Sequence, residues 1–391
     1  MNYPALILKA KRERSILFRH PWVFSGAVQK APIAGDGDII SIQDIQGKIL
    51  GFGFYSPKSQ IVCRMFHFGP QEDFSSLEYW MGKIQRASEL RKSLLPPNTN
   101  CYRLLHAEGD FIPGIIADVY DRVVVVQILV KGTEKLKDLL VKALNECGFP
   151  TVYLKTKSSS QNIEEVGLKS GFLSGTSETP VLALENNVKF EVDFVDGQKT
   201  GFFLDQRDNR DLLGRLSKGK TVLNTFCYTG GFSIYALAAG AKEVVSVDIS
   251  KDAVELCNQN VALNKFPGEH KGVVADCFDY LKEMPSDFYD VIVLDPPAFA
   301  KNARAVDNAS RGYKQINLRA IQKIKPGGIL FTFSCSQNID KLLFQKIVFG
   351  AASDAGRNVR ILYQLHQPFD HPINIFHPEG EYLKGLVVQV E

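Results

Sequence analysis

The chain has 391 residues, of which 45% are hydrophobic and 23% are charged, and its formal net charge is +3. This length favours two or three domains over a single core, and the composition is that of a folded globular protein, which excludes disordered and fibrous classes. No apolar run approaches the ~18 residues that a membrane helix needs, and we find no signal peptide, so we expect a cytoplasmic protein that contacts no membrane.

The cysteines and histidines indicate neither disulfides nor a metal site. The seven cysteines are an odd number, lie scattered along the chain and form no Cys-x-x-Cys pair, which favours reduced thiols. His366, His371 and His377 are separated by prolines at spacings that match no usual ligand set. We therefore expect no bound metal.

Residues 1–72 are predicted to form a small β-rich domain, because short apolar runs alternate with glycines. Residues 1–71 carry nine Lys and Arg side chains against four acidic ones. Such an excess suits contact with a phosphate backbone, although an ordinary solvated surface explains it equally well.

Residues 73–185 are predicted to form a second, small α+β domain. A charged stretch over residues 77–94 favours a linker helix that ends before Pro96-Pro97. The pattern then predicts a strand over residues 123–130, a helix over 134–146 and a strand over 151–155, which together make a βαβ unit.

Residues 186–391 are predicted to form the largest domain, with a hairpin at 188–195 leading in. Apolar runs at 221–224, 244–247, 272–275, 291–294 and 329–333 alternate with helical patterns, which is typical of an α/β fold with a doubly wound parallel sheet. No helical pattern separates residues 359–366 from 382–390, so we expect an antiparallel pair at one edge.

Polar residues at the ends of the first three of these strands indicate a nucleotide-like ligand. Asn224 opens a glycine-containing turn before a helix, Asp248 ends the second strand, and Asp276 ends the third. Each of these side chains alone fits a helix cap, but the three together favour a shared cleft. Because Gly-x-Gly-x-x-Gly is absent, S-adenosylmethionine (SAM) fits better than NAD.

The segment Asp295-Pro296-Pro297 follows the fourth strand and is rigid, with few amide donors. The segment could bind the polar edge of a planar base, with Phe299 stacked on the face of that base. Alternatively, it is only a rigid turn after the strand and binds no ligand.

Cys335 follows the fifth strand, beside the strand that leads to Asp295. A free cysteine is commonly a small core residue. In a cleft, however, a thiolate is the nucleophile that pyrimidine C5 chemistry requires, since C5 attacks a methyl donor only after addition at C6. The ordinary thiol pKa of ~8.5 calls for a nearby cation or base, for which Arg311 and Lys314 are candidates.

Over essentially its whole length the chain resembles the bacterial RlmI-like family of class I SAM-dependent methyltransferases, which form 5-methylcytosine in large-subunit ribosomal RNA. The most specific match is the segment of residues 196–210, and further matches carry the resemblance to both ends. These further matches are Asp295-Pro296-Pro297, residues 311–314, residues 333–336 and residues 378–385, and, in a region that resembles a PUA RNA-binding domain, residues 20–26 and 55–59.

The resemblance implies a Rossmann-like domain with a mostly parallel seven-stranded sheet, preceded by a PUA domain and a small α+β domain. It implies SAM as the cofactor and ribosomal RNA as the partner, with Asp295 and Cys335 as the catalytic residues and Pro296, Pro297 and Phe299 at the base. The cofactor-binding residues that it implies are Lys199, Thr200, Gly201, Phe203, Asn224, Phe226, Tyr228, Thr229, Gly230, Asp248, Asp276 and Asp295.

The expected reaction is addition of Cys335 to C6 of an extruded cytosine in 23S rRNA, followed by methylation at C5. Glu379, His371 and water are candidate bases for the C5 proton. Two alternatives stay open: a guanine-N7 or exocyclic-amine methyltransferase, which needs no thiol, and a non-catalytic RNA-binding protein. We also leave open whether the chain forms a homodimer.

Overall fold

The computed structural model describes residues 3–156, 164, 166–300 and 302–391 and divides the chain into two compact units. Unit 1 contains Met1–Ala183, Val192–Phe202 and Phe369–Gly380. Unit 2 contains Leu184–Glu191, Phe203–Pro368 and Glu381–Glu391. No helix in the described part of the chain is long and apolar enough to cross a bilayer.

The first sheet of unit 1 has six strands in the order β2-β6-β5-β4-β1-β3. Burial alternates over Ala5–Leu8, and Leu6 and Leu8 share a buried core with Ile40 and Ile42 of the neighbouring strand. Its elements are β1 (Ala5–Leu8), α1 (Arg14–Leu17), β2 (Trp22–Phe24), β3 (Val28–Lys30), β4 (Ile39–Gln43), β5 (Ile49–Tyr55) and β6 (Ile61–His67).

The second sheet of unit 1 has five strands in the order β11-β10-β9-β8-β7, and β9 and β10 run parallel, as the predicted βαβ unit requires. The sequence missed β7, β8 and β11. The elements are α2 (Leu77–Leu94), β7 (Cys101–His106), β8 (Ile115–Tyr120), β9 (Val123–Ile128), α3 (Lys131–Lys135), α4 (Lys137–Glu146), β10 (Thr151–Leu154) and β11 (Gly171–Ser174).

One apolar cluster joins both sheets of unit 1. Phe54 of β5 and Trp80 of α2 belong to the same buried cluster as Val126 of β9. The predicted boundary at residue 72 therefore falls inside a shared core, and the three-domain division stays a prediction.

A hairpin of β12 (Val181–Glu185) and β13 (Val188–Val192) follows. Its turn residues Asn186 and Asn187 have φ of 50° and 67°, the left-handed conformation that two-residue hairpin turns favour. The predicted hairpin at 188–195 covers only the second strand, and the first strand lies before the predicted bounds.

Unit 2 is built on a seven-stranded sheet in the order β16-β15-β14-β17-β18-β20-β19. The strands β14 to β18 are parallel, whereas β20 is antiparallel to both β18 and β19. The elements are α5 (Arg207–Arg215), β14 (Thr221–Thr225), α6 (Gly231–Ala238), β15 (Glu243–Asp248), α7 (Lys251–Asn264), β16 (Glu269–Val274), α8 (Cys277–Glu283), β17 (Val291–Leu294), α9 (Val306–Lys323), β18 (Gly328–Ser334), α10 (Lys341–Ala355), β19 (Val359–Leu365) and β20 (Lys384–Val390).

This sheet confirms the predicted fold class. Strands β14 and β17 are buried throughout, as strands covered on both faces by helices must be. The chain builds outward from β14 through β15 to β16, and then continues on the other side of β14 with β17 and β18. The direction of winding therefore reverses between β14 and β17, and ligands bind at such a switch point, beyond the carboxyl ends of the strands.

Candidate active site

Four of the predicted site residues lie at the carboxyl edge of the unit 2 sheet. Asn224 lies near the end of β14, and Asp248 is the last residue of the neighbouring β15. Asp295 directly follows β17, and Cys335 directly follows β18. Because β15, β14, β17 and β18 are consecutive in the parallel sheet, this edge brings the predicted cofactor and base segments side by side.

The turn after β14 has a backbone shaped for close approach. Phe226, Tyr228 and Gly230 all have positive φ, of 54°, 46° and 85°. The backbone N–H of Tyr228 donates to Oδ2 of Asp248 at 2.9 Å, which ties the turn to the end of β15. Gly230 occupies the N-cap of α6, so the free amides of the first helical turn lie next to this edge.

Asn224 supplies an open acceptor in the same region. Its Nδ2 donates to Oγ of Ser233 at 2.8 Å, while its buried Oδ1 has no hydrogen-bond partner among the described residues. A buried acceptor without a donor is unfavourable unless a ligand supplies one. The ammonium of SAM is such a donor, so the residues present fit the cofactor.

The two aspartates differ in their surroundings. Asp248 receives backbone N–H groups at both oxygens, from Tyr228 and from Ser250, and each carboxylate oxygen keeps a further lone pair for a ribose hydroxyl. Asp276 does not end a strand as predicted, because β16 stops at Val274. It is instead the N-cap of α8, and its Oδ1 accepts the N–H of Phe278 at 2.7 Å.

The remaining turn residue, Thr229, is buried, and its carbonyl accepts Nδ2 of Asn260 at 3.2 Å. Phe203, which the resemblance assigns to the cofactor, lies in unit 2 with its ring edge-on to Tyr228, at a centroid distance of 5.1 Å. The hydrogen bond from Asn260 thus fixes the backbone of the turn at Thr229, and Phe203 packs against the ring of Tyr228.

The base-binding segment is only partly open. Asp295 is half-buried, Pro296 is buried and Pro297 is exposed. The ring of Phe299 packs 4.6 Å from that of Tyr313 and 5.9 Å from that of Phe278, measured between centroids. These contacts favour a supporting role for Phe299, and its stacking on a base stays a prediction.

A hydrogen-bonded serine links the exits of β17 and β18. Oγ of Ser336 accepts the backbone N–H of Ala300 at 3.2 Å and lies 3.0 Å from Oη of Tyr313. Ser334 and Ser336 are buried, whereas Cys335 between them is half-buried. The turn therefore buries both serines, and the half-buried Cys335 packs in part against the apolar cluster that contains Phe333 and Leu383.

The cation near the thiol is one that the sequence did not indicate. Lys384, which is only 4% exposed, donates from Nζ to the carbonyl of Ser336 at 2.7 Å. Burial lowers the pKa of Lys384 to about 8, and the charge of Cys335 acts in the opposite direction. Of the two predicted candidates, Lys314 forms an ion pair with Asp354 at 2.7 Å, and Arg311 is exposed on α9.

Three predicted cofactor residues, Lys199, Thr200 and Gly201, lie in unit 1. Thr200 is buried there, and its Oγ1 donates to Oδ2 of Asp118 at 2.6 Å. Arg103 binds both oxygens of Asp118, at 2.7 and 2.8 Å, so this threonine is held by a paired carboxylate.

Both candidate bases for the C5 proton also belong to unit 1. His371 is buried with Nδ1 at 2.9 Å from Oδ1 of Asp370, and Glu379 lies 3.4 Å from Nε2 of His20. Their assignment as bases stays a prediction.

Two family models match the chain. The model for S-adenosylmethionine-dependent methyltransferases matches residues 159–370, and the model for PUA-like domains matches residues 6–68. The first covers more than half of the chain and includes the strand ends described above.

Curated relatives match at full length. Ribosomal RNA large subunit methyltransferase I of Pseudoalteromonas translucida is 43% identical over 394 residues, covering 99% of this chain and 99% of the relative. The protein of the same name from Shewanella denitrificans is 44% identical over 394 residues, covering 98% of each.

Two solved structures share the fold over 100% of both chains at 24% identity. One is a proposed SAM-dependent methyltransferase from Streptococcus mutans, with a TM-score of 0.83. The other is SMU.776, a proposed methyltransferase complexed with SAH, with a TM-score of 0.84.

Proposed function

Because the chain belongs to the ribosomal RNA large subunit methyltransferase I family, we propose that it methylates C5 of a cytosine in 23S rRNA through a covalent Cys335 adduct. The cofactor is SAM, and the activity is SAM-dependent methylation of rRNA. What we propose beyond this is the target atom and the route.

The observation that carries the proposal is the half-buried Cys335, which directly follows β18, at the strand exit beside the one that leads to Asp295-Pro296-Pro297. The hydrogen bond from Ala300 to Ser336 joins the two strand exits, and Lys384 supplies positive charge to the turn. Nitrogen methylation needs no thiol, because a ring or exocyclic nitrogen carries its own lone pair. A half-buried cysteine at the strand exit beside that of Asp295 therefore supports carbon methylation.

The proposed reaction begins when the target cytidine leaves its stack and enters the cleft. Asp295 hydrogen-bonds the N3 or N4 edge of the base, while Sγ of Cys335 forms a bond to C6 and electron density moves to C5. When bound, SAM supplies the electrophilic methyl group that C5 takes up. A base then removes the C5 proton, and the bond between Sγ and C6 breaks to restore the ring.

The residues that would hold the cofactor in unit 2 are those of the β14 turn, namely Asn224, Phe226, Tyr228, Thr229 and Gly230, together with Asp248, Asp276, Asp295 and Phe203. The unpartnered Oδ1 of Asn224 and the free amides at the start of α6 support this assignment. Lys199, Thr200 and Gly201 are assigned to the cofactor by the resemblance alone.

The test is Cys335→Ala, assayed with 23S rRNA and with RNA containing 5-fluorocytidine. We expect transfer to fall at least about 10³-fold and SAM binding to persist, since the nucleophile is lost while the cofactor residues remain. The wild-type enzyme should form a denaturant-stable adduct with the fluorinated RNA, and Cys335→Ala should form none.

Cys147→Ala is the matched control, because Cys147 is the other half-buried thiol of the chain. This variant should keep both transfer and adduct. Retained C5 methylation by Cys335→Ala would end the proposal. Recovery of the methyl group on guanine N7 or on an exocyclic amine would favour the nitrogen alternative, and absence of SAM binding would favour the non-catalytic one.

We also propose that the PUA-like region contacts the rRNA. Phe18, directly after α1, is 61% exposed, and Phe24, the last residue of β2, is 47% exposed. The guanidinium of Arg14 lies 5.3 Å from the ring centroid of Phe18. Exposed aromatic rings beside basic side chains are typical of surfaces that stack unpaired bases.

The cytoplasm is the proposed location, because all seven cysteines are free thiols and oxidising compartments favour disulfides.

A homodimer formed through β19 is a further proposal. β19 is an edge strand of the unit 2 sheet, and its Ile361, Leu362 and Tyr363 are exposed. An apolar edge strand favours pairing with a second copy. We expect light scattering to give twice the chain mass and Tyr363→Lys to give the monomer; a monomeric wild-type protein would contradict this.

A further inference from the structure

Lys384 is placed opposite the Cys335 turn by strand pairing. In the antiparallel ladder of β18 and β20, Lys384 pairs with Ser334. Its Nζ reaches past the end of β18 and donates to the carbonyl of Ser336 at 2.7 Å and to that of Tyr382 at 2.7 Å. Lys384 therefore pairs with Ser334 and binds the carbonyl of Ser336, and Cys335 is the one residue between these two serines in the sequence.

A buried ammonium needs compensating charge, and two carbonyls supply only dipoles. Two carboxylates act on Lys384 from nearby, Glu381 and Asp340. Glu381 forms an ion pair with Lys341 at 2.5 Å, and Asp340 accepts the N–H of Leu343 as the N-cap of α10. Both carboxylates are therefore already engaged, and of the charges that favour the ammonium that of Cys335 contributes most.

Among the described residues, Tyr313 of α9 is a further titratable group packed against this turn, and its Oη lies 3.0 Å from Oγ of Ser336. Burial raises the pKa of Tyr313, so its hydroxyl stays neutral and cannot take a proton from the thiol. Lys341 is a like charge that disfavours the ammonium of Lys384.

We propose that Lys384 is the positioning residue that keeps Cys335 as a thiolate in an ammonium–thiolate pair. The inference rests on the proposed role of Cys335 as nucleophile. In the pair, the thiol proton passes to the neutral amine of Lys384, so that one S–H bond breaks and one N–H bond forms, with no other reactant. The third N–H of the ammonium, beyond the two that bind carbonyls, is the donor for the sulfur.

The test measures alkylation of Cys335 by iodoacetamide against pH, followed by mass spectrometry of the Cys335 peptide. We expect Lys384→Met to raise the pH midpoint and to slow alkylation at pH 7 roughly tenfold, because only the thiolate reacts. Lys384→Arg keeps the charge and should keep a low midpoint. Alkylation of Cys147 in the same samples should be unchanged.

Lys341→Met is the matched control, since it removes an equal charge from an exposed position near the turn. It should leave the Cys335 midpoint unchanged or lower it slightly. If Lys384→Met does not fold, Lys384→Gln keeps N–H donors for the carbonyls without the charge. An unchanged midpoint in whichever of these two variants folds overturns the inference.

Methyl transfer separates this inference from the function on which it rests. We expect Lys384→Met to lower kcat with little change in KM, and its rate to recover partly as the pH rises, which a structural role alone does not produce. A shifted midpoint in Lys384→Met combined with full transfer by Cys335→Ala would reject the proposed function and keep the pair. An unshifted midpoint combined with inactive Cys335→Ala would reject only the pair.

Discussion

Gly230 holds the most constrained position of the β14 turn. Its φ is +85°, and a Cβ built on it would overlap Sγ of Cys257 on α7. Glycine is therefore favoured here for two reasons: the backbone is left-handed, and α7 approaches the β14 turn too closely for a side chain. Gly240, just beyond the end of α6, has nearly the same φ of +87°, but the nearest atom to its Cβ is Cγ of Lys218 at 3.9 Å.

Substitutions at Gly230 and Gly240 distinguish the cost of a left-handed backbone from the cost of overlap between a new Cβ and α7. We expect Gly240→Ala to lower the free energy of unfolding by about 1–2 kcal/mol, the cost of a left-handed residue with a side chain. Gly230→Ala should lose about 1–3 kcal/mol more through overpacking, and it should also weaken SAM binding because the turn must shift. Urea unfolding and calorimetric titration with SAM measure the two effects.

Cys257→Ala in the Gly230→Ala background provides the control, because it removes the sulfur that the new methyl group meets. Part of the lost stability should return in this double variant. Equal destabilisation by Gly230→Ala and Gly240→Ala, with equal SAM affinity, would show that the approach of α7 has no consequence for the turn.

At the scale of elements, the sequence predicts the unit 2 sheet well because buried parallel strands are nearly continuous apolar runs. β17 has the predicted bounds, and β14, β15 and β18 differ from prediction by one residue at one or both ends. β16 is offset toward the N-terminus because its burial is partial, and this offset moves Asp276 from a strand end to a helix cap.

The sequence did not predict features that depend on contacts between segments far apart in the chain. The segment Phe369–Gly380 follows a unit 2 strand but belongs to unit 1, where the carbonyl of Asp370 accepts Nη2 of Arg91 at 2.8 Å. Lys384 opens a strand and has the sequence pattern of an exposed lysine. Only the register of β18 with β20 brings it to Cys335, and local periodicity carries no information on which strand lies opposite.

At the scale of the whole molecule, three buried or half-buried histidines of unit 1 link stability to pH. Burial lowers the pKa of His67, His106 and His377, and for His106 the nearby Arg103 adds to the effect. The imidazole of His106 accepts Nη1 of Arg103 at 3.1 Å through Nδ1, a contact that requires the neutral ring. Protonation of these rings is thus easier in the unfolded chain than in the fold.

The sign follows from proton binding. Below the ordinary histidine pKa of ~6.5 the unfolded chain binds protons at these rings and the folded chain does not. Acidification therefore favours unfolding. Near pH 7.5, about one unit above that pKa, both states are almost fully neutral at these sites and the dependence disappears. Each histidine contributes a slope of up to about 1.4 kcal/mol per pH unit, until the pH reaches its lowered pKa.

We therefore expect the free energy of unfolding to fall between pH 7 and pH 5.5, and His106→Gln to make that fall shallower by up to about 1.4 kcal/mol per pH unit. Urea unfolding at pH 7.5 measures the structural cost of the substitution alone, because the rings are neutral in both states there. The difference between the two proteins at pH 5.5, after subtraction of that cost, is the contribution of the His106 proton. Parallel pH dependences for His106→Gln and the wild type would mean that protonation of His106 does not control the acid stability of unit 1.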